Sequence, residues 1–342
     1  MTRTLILLLI TLIAATTAHA RLQVDWEFLS HTEAHHLTTL VTDEHRLYLS
    51  AADGIYVSDD DGLTWDLTLS GVTVSDIAVG RHSIYAGSES SGVFRSATRG
   101  ASWKPKRKGL PRYEQGDYHT IVSIYVTRTN AIIAITKHGW PYRSVDRGES
   151  WKNMAQQWMT PYGRVGSALS LFEFDAELWL SSTRRTTFRS DNDGDTWRYN
   201  TPFKNSAITN WAELNGRLYA AGDNFARWNE AGHDWEYFSD GLQYGYDLPR
   251  FSALTVNRDS LFASIIFNGA YLFDERSETF IPIGFQGSLV SDIVSHQGYL
   301  YAAVGAPRSG AWEEVGVYRA SIPVVQPYGK ATTTWGAIKH KQ

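Results

Sequence analysis

From residue 24 onward the chain alternates apolar and polar positions in short runs, broken by glycine, aspartate, asparagine and serine. A period of two places alternate side chains on opposite faces and predicts strands rather than helices. One phrase recurs: an alternating run, a short gap, a bulky apolar pair followed by small residues, then an aromatic-basic-serine triplet and a turn ending in tryptophan. The apolar pair stands at Leu47-Tyr48, Ile84-Tyr85, Ile132-Ile133, Leu178-Trp179, Leu218-Tyr219, Leu261-Phe262 and Leu300-Tyr301. The second half is clearest from Tyr56 to Trp65, Phe94 to Trp103, Tyr142 to Trp151 and Phe188 to Trp197, with weaker copies ending at Trp235 and Phe280.

Seven repeats of about forty residues, each with room for four strands, match the blades of a β-propeller. The predicted fold is therefore all-β, a seven-bladed ring. The seventh repeat reaches its third strand at Gly316 to Arg319, and no tryptophan turn follows at the usual distance. Val24 to Glu27 reads as the missing outer strand, which would close the ring and cover its exposed edges. Thr333 to Trp335 offers an alternative closure. The spacing from Trp26 to Leu47 favours the N-terminal strand, leaving 323–342 as a tail and 21–322 as the propeller.

The turns carry their own chemistry. Ser58-x-Asp60-x-Gly62-x-Thr64-Trp65 recurs at Ser144, Asp146, Gly148, Ser150 and Trp151. Ser190, Asn192, Gly194 and Trp197 form a third copy, and Gly100 with Trp103 a fourth in which Thr98 replaces the aspartate. Glycine suits a residue with positive φ, and a short side-chain oxygen can bond the turn's own amides. A calcium loop is excluded at Asp191 to Gly194, because Arg189 and Asn200 stand where acidic ligands would be required. Such turns resemble the BNR/Asp-box propellers, which include sialidases, xyloglucan-degrading hydrolases, sortilin-type receptors and photosystem II assembly-factor-like proteins. Seven repeats in one short chain look most like the assembly-factor-like group, and that resemblance implies a non-catalytic scaffold.

The first residues differ from the rest. Arg3, the apolar run Leu5 to Ala15 and the small-x-small sequence Ala18-His19-Ala20 read as a signal peptide, 1–20, cleaved after Ala20. The run is too short to anchor a chain in a bilayer, and no second long apolar run follows. The mature protein is expected outside the cytoplasm, periplasmic or extracellular. Among 342 residues there is no cysteine, which excludes disulfides and thiolate chemistry. A net charge of −4 argues against a general nucleic-acid binder. Thirteen Trp and eighteen Tyr are the compositional excess, and they point to packed short strands and aromatic surfaces.

In a propeller the connections from strand d to the next a, and from b to c, gather on the face opposite the tryptophan turns. On that face the sequence places Arg112, Tyr113 and Tyr118, then His138 and Trp140. Further along come Trp158, Tyr162 and Arg164, then Arg184 and Arg185, then Tyr246, Asp247 and Arg250. Tyr, Trp and Arg are the types that anchor protein interfaces, and stacked aromatics also suit sugar rings. Asp76 and Asp292 sit on inner strands facing the channel, where bonds to nearby amides and hydroxyls are favoured over a cation. Thr38, Ser75, Val122, Ser167, Thr209, Ser252 and Ser291 start the inner strands with small residues that crowding requires. His31, Glu33, His35 and His36 are zinc or copper ligand types without converging spacing, so no metal or other cofactor is assigned.

Enzymatic signatures are sparse. The sialidase family's Arg-Ile-Pro signature is absent before the first turn, where Leu47-Tyr48-Leu49-Ser50 stands. No paired carboxylates, serine elbow or zinc motif is legible. The sequence therefore points to an exported, monomeric binding or assembly module that takes a protein or peptide on the loop face of blades 3–5. The alternative is a carbohydrate-active propeller, glycan-binding or a glycoside hydrolase.

Overall fold

A computed structural model describes residues 24–30, 37–154, 159–160, 163–164, 168–204, 207–242, 249–305 and 315–322. The strands form seven four-stranded antiparallel sheets in chain order, the expected seven-bladed propeller. Blade 1 runs Leu37–Thr42, Leu47–Ala51, Gly54–Ser58 and Asp66–Ser70 as strands a to d. The inner a strands of blades 2 to 6 are Val74–Val79, Ile121–Val126, Ala168–Phe174, Asn210–Leu214 and Phe251–Asn257. Blade 7 is built from Leu289–His296, Tyr299–Gly305 and Gly316–Ser321, with Glu27–Ser30 as its outer strand. A short ribbon, Met159–Thr160 with Gly163–Arg164, lies between blades 3 and 4. No helix among the described residues is long and apolar enough to cross a membrane.

The N-terminal closure holds. Glu27 pairs with Arg319 and Phe28 with Tyr318. The strand starts at Glu27 rather than Val24, because Trp26 is used for packing: its ring lies 4.7 Å from Phe285 and its Nε1 donates to Ile283 O at 2.8 Å. Thr333 to Trp335, the alternative closing segment, lie outside the described residues, as do residues 1–20, the tail 323–342 and the histidine cluster at 31–36.

Buried apolar residues fall into seven clusters, and each fills one seam between neighbouring blades. Leu37, Leu40, Leu47 and Leu49 of blade 1 pack with Tyr301, Ala303 and Val317 of blade 7, and Trp65 leans on that cluster. Trp103 packs in the seam between blades 1 and 2, Trp151 between 2 and 3, Trp197 between 3 and 4. Trp235 and Phe280 serve the next two seams. The aromatic residue opening each d strand therefore wedges against the preceding blade.

The turns that deliver these wedges are held from within. Ser58 Oγ accepts from Gly62 N at 2.8 Å, and Asp60 Oδ1 accepts from Thr64 N at 2.8 Å. Ser144 with Gly148, Asp146 with Ser150, Ser190 with Gly194 and Asn192 with Thr196 repeat both bonds. In the second blade Thr98 Oγ1 takes the aspartate's place and accepts from Ser102 N at 2.9 Å. Gly100 has φ +85°, and a Cβ there would lie 2.9 Å from Tyr48 and Val57 of blade 1, so both conformation and space demand glycine. Trp103 Nε1 then donates to Thr68 Oγ1, and Trp151 Nε1 to Lys106 O, each reaching the preceding blade.

Near the axis the ties run the other way. Most inner strands carry a β-bulge near their start, between Leu37 and Thr39 or Val74 and Asp76 for example. The bulge frees a polar side chain to bond the next blade. Thr38 Oγ1 donates to Val74 O at 3.2 Å, Ser75 Oγ to Ile121 O, Ser170 Oγ to Ile208 O at 2.8 Å and Ser252 Oγ to Val290 O at 2.6 Å. Ser167, expected at the blade 4 position, lies outside the described residues. Blade 4 bulges between Ala168 and Leu171, and Ser170 supplies the hydroxyl. Asp76 Oδ2 accepts from Ile124 N, and Asp292 Oδ2 from Leu40 N, both at 2.8 Å. Both carboxylates make the expected bonds to neighbouring amides.

Both acids keep some exposure to the channel, but the surrounding protein strips most of their hydration. Loss of hydration pushes Asp76 up to about 6 and Asp292 to about 7, against the pull of their amide donors, and Asp76 raises Asp292 further. A raised carboxyl pKa means the fold prefers the protonated form. Its contribution to stability is complete below the ordinary value of 3.8 and is lost as pH rises through the raised one. Asp292→Asn loses one of the two acceptors facing Leu40 N and Ile293 N at every pH, and is therefore expected to lose less melting temperature than the wild type between pH 4 and pH 8. Thermal unfolding across that range, with a flatter profile in the variant, checks this. For the wedge, Trp151→Ala is expected to cost about 3–5 kcal/mol, and Trp151→Phe about 1 kcal/mol plus a packing loss, in urea unfolding followed by circular dichroism.

Candidate functional site

The b-to-c turns are built on buried hydroxyls. Ser88, Thr136 and Ser182 end their b strands fully buried, and each bonds across its turn. Ser88 Oγ donates to Gly92 O at 2.7 Å, and Thr136 Oγ1 both donates to Trp140 O and accepts from Trp140 N, each at 3.2 Å. The blade 3 turn is clamped from both sides: Lys137 N donates to Thr120 O, and Ala168 N of blade 4 donates to Gly139 O. The turn is thus a rigid support for the exposed side chains of His138 and Trp140.

The connection from blade 2 to blade 3 folds over beside it. Arg112 pairs with Tyr118 as an isolated bridge, and Tyr113 N donates to Asp117 O at 2.8 Å. Arg112 lies 4.3 Å over the Tyr118 ring and donates from Nη2 to its hydroxyl at 2.5 Å. Below them Arg107 is layered between Phe94 and Tyr118, 5.0 and 5.4 Å from the two rings. Tyr118 N donates to Ser90 O, which docks the connection onto the blade 2 turn.

These two segments bring four rings together. Tyr113 stacks on His119 at 4.2 Å, His119 meets His138 edge-on at 5.0 Å, and His138 lies 6.5 Å from Trp140. Tyr113 also touches His138, at 5.9 Å. Trp140 is 36% exposed. Burial holds His119 below the ordinary histidine range, and the neighbouring His138 adds to this; a bond to the Arg112 backbone opposes both. His119 is therefore neutral at neutral pH, with the Arg112 cation at the edge of the ladder.

Of the residues anticipated from sequence, Arg112, Tyr113, Tyr118, His138 and Trp140 meet at the boundary of blades 2 and 3. His119 was not singled out. It follows the loop directly, at the entrance to an inner strand, and its type alone gave no hint that it would bridge Tyr113 to His138. Arg184 and Arg185 are exposed on the blade 4 turn; Arg185 has φ +63° and its carbonyl accepts from Phe203 N at 2.7 Å. Arg250 lies 3.8 Å from Asp223 across blades 5 and 6 and stays largely exposed. Arg164 belongs to the short ribbon between blades 3 and 4. Trp158, Tyr162, Tyr246 and Asp247 lie outside the described residues.

No family model matches the chain. A vacuolar protein sorting/targeting protein 10 from Emericella nidulans is 30% identical over 129 residues, 34% of this chain and 9% of that protein. The chain thus spans under a tenth of the length of that curated relative. Among solved structures, YCF48 bound to D1 peptide superposes with a TM-score of 0.62 at 14% identity, covering 90% of this chain and 97% of the other. YCF48 from Cyanidioschyzon merolae gives 0.62 at 14%, covering 87% and 98%. The WD40 propeller domain of Doa1 gives 0.62 at 10%, covering 88% and 98%. At these identities the likeness is one of fold, that of a seven-bladed β-propeller.

Proposed function

We propose that this chain is an exported, non-catalytic propeller that binds a protein or peptide partner on its loop face, across blades 3–5 and the adjoining edge of blade 2. The observation that carries the reading is the ladder Tyr113, His119, His138 and Trp140, flanked by Arg112 and followed on the next blade by Arg184 and Arg185. The exposed rings of His138 and Trp140, backed by half-buried Tyr113 and His119, supply contact area at low entropic cost, and arginines supply bonds to backbone carbonyls and carboxylates. Propellers commonly recognise partners where loops of several blades converge on a rigid scaffold. The tryptophan turns, read as Asp-boxes, shape the opposite face and play no part in binding. The D1 peptide bound by YCF48 is a precedent for the class of ligand and not for its identity. The signal-peptide reading of residues 1–20 supports a site of action outside the cytoplasm.

The test is crosslinking capture from the native envelope with tagged mature protein, against a variant carrying Trp140→Ala, Arg184→Ala and Arg185→Ala with an unchanged melting temperature. A partner identified with the wild type should bind the variant at least thirtyfold more weakly in a purified titration, the loss of about 2 kcal/mol typical of anchor residues. Equal affinity would remove the site assignment. Binding of a purified glycan, abolished by the same changes, would replace the partner class.

A further inference from the structure

The seam that closes the ring contains a histidine the binding reading does not use. His296 ends the inner strand of blade 7, and its side chain is 3% exposed. Its Nδ1 lies 2.6 Å from Thr42 Oγ1 of blade 1. Thr42 Oγ1 also lies 2.7 Å from Asp43 O, which can only accept, and we assign its one hydroxyl proton to that bond. The Thr42 oxygen is thereby left as an acceptor, so Nδ1 carries the imidazole proton and Nε2 carries the lone pair. Nε2 is buried without a hydrogen-bond partner and lies 3.8 Å from Asp61 Oδ1, in the tryptophan turn of blade 1.

A lone pair facing a carboxylate at that distance makes no bond. A proton on Nε2 would turn the same pair into a charge-assisted hydrogen bond after a movement of about 1 Å, to the ordinary length near 2.8 Å. We infer that His296 and Asp61 form a proton-operated clasp across the seam between blade 7 and blade 1, unmade at neutral pH and drawn together when Nε2 is protonated.

The surroundings set where this happens. Asp43 and His45 face the imidazole from the first turn of blade 1, and Asp61 from its second. Tyr301 faces it from the second strand of blade 7, its hydroxyl buried and unpartnered, with Arg319 beside that hydroxyl and Glu27 of the N-terminal strand paired to Arg319. Burial lowers His296 below the ordinary histidine value; Asp61 and Asp43 oppose this, and His45 adds to it. Burial wins, so the clasp engages only in acid. Because the fold prefers neutral His296, the stability it contributes is present above the ordinary value of 6.5 and is lost as pH falls through the lowered one. The proton thus both closes the clasp and loads the seam with a buried cation.

Nitrogen-resolved NMR of the histidines across pH 4–8, on the mature protein and on Asp61→Asn, tests this. Asp61 has φ +58°, a conformation asparagine accepts, so the turn survives the change. At pH 7.5 the expected tautomer of His296 is Nδ1–H. Its midpoint is expected below the ordinary histidine range, and lower still in Asp61→Asn. The fall in melting temperature between pH 7.5 and 5 should be smaller in His296→Gln than in wild type. An Nε2–H tautomer at pH 7.5, or a midpoint unmoved by Asp61→Asn, would overturn the clasp.

Discussion

Seven sheets close a ring only if every wedge of space between them is filled to matching thickness, and the rest of this molecule depends on how that is done. Near the axis the inner strands approach closely, and short side chains bond one blade to the next: Thr38 to Val74 O, Ser252 to Val290 O, Leu40 N to Asp292. Toward the rim the blades splay, and large rings fill the gap. The two devices point in opposite directions around the ring. Polar ties reach forward to the following blade, while Trp103 and Trp151 reach back to the preceding one. The seams between blades 1 and 2 and between blades 2 and 3 are thereby gripped at both radii, so blade 2 cannot tilt without breaking contacts on both sides.

That grip frees the loop face for variation. Buried hydroxyls at Ser88, Thr136 and Ser182 hold the ends of the b strands, so what is displayed beyond them carries little structural duty. Trp140 and His138 stand on such a turn, and the blade 2 to 3 connection supplies Tyr113 and His119 against them. The central acids show the opposite bargain. Asp76 and Asp292 supply forward ties where carboxylate hydration is poor, which stabilises the geometry while leaving the ring sensitive to their charge.

What could be read from sequence follows from the range of each interaction. The tryptophan turns were legible because every bond in them spans at most four residues, as Ser58 to Gly62 and Asp60 to Thr64 do. The blade count was legible because the apolar pair repeats. The outer strand of blade 7 was readable as a gap in that count, although its start was misplaced by Trp26, which breaks the alternation to fill a seam. The ring of hydroxyls was visible as small residues but not as donors, and in blade 4 a shifted bulge moved the donor to Ser170. The aromatic ladder was legible only in its parts. Tyr113 and His138 stand 25 positions apart, and no local pattern says that a third ring, His119, lies between them.

The pairing of Glu27–Ser30 with Gly316–Ser321 joins the two ends of the described chain in one sheet. Blades 1 to 6 can each assemble from neighbouring segments, so most contacts are local and form early in such a repeat array. The last sheet cannot, since its outer strand is made first and must wait for nearly three hundred residues to follow. During that interval Trp26 and Phe28 have no seam to enter, and the chain carries an unmatched apolar strand at its leading end. Completion joins the largest sequence separation among the described strand pairs, so the order of synthesis puts the ring's joint last and leaves its outer strand waiting longest.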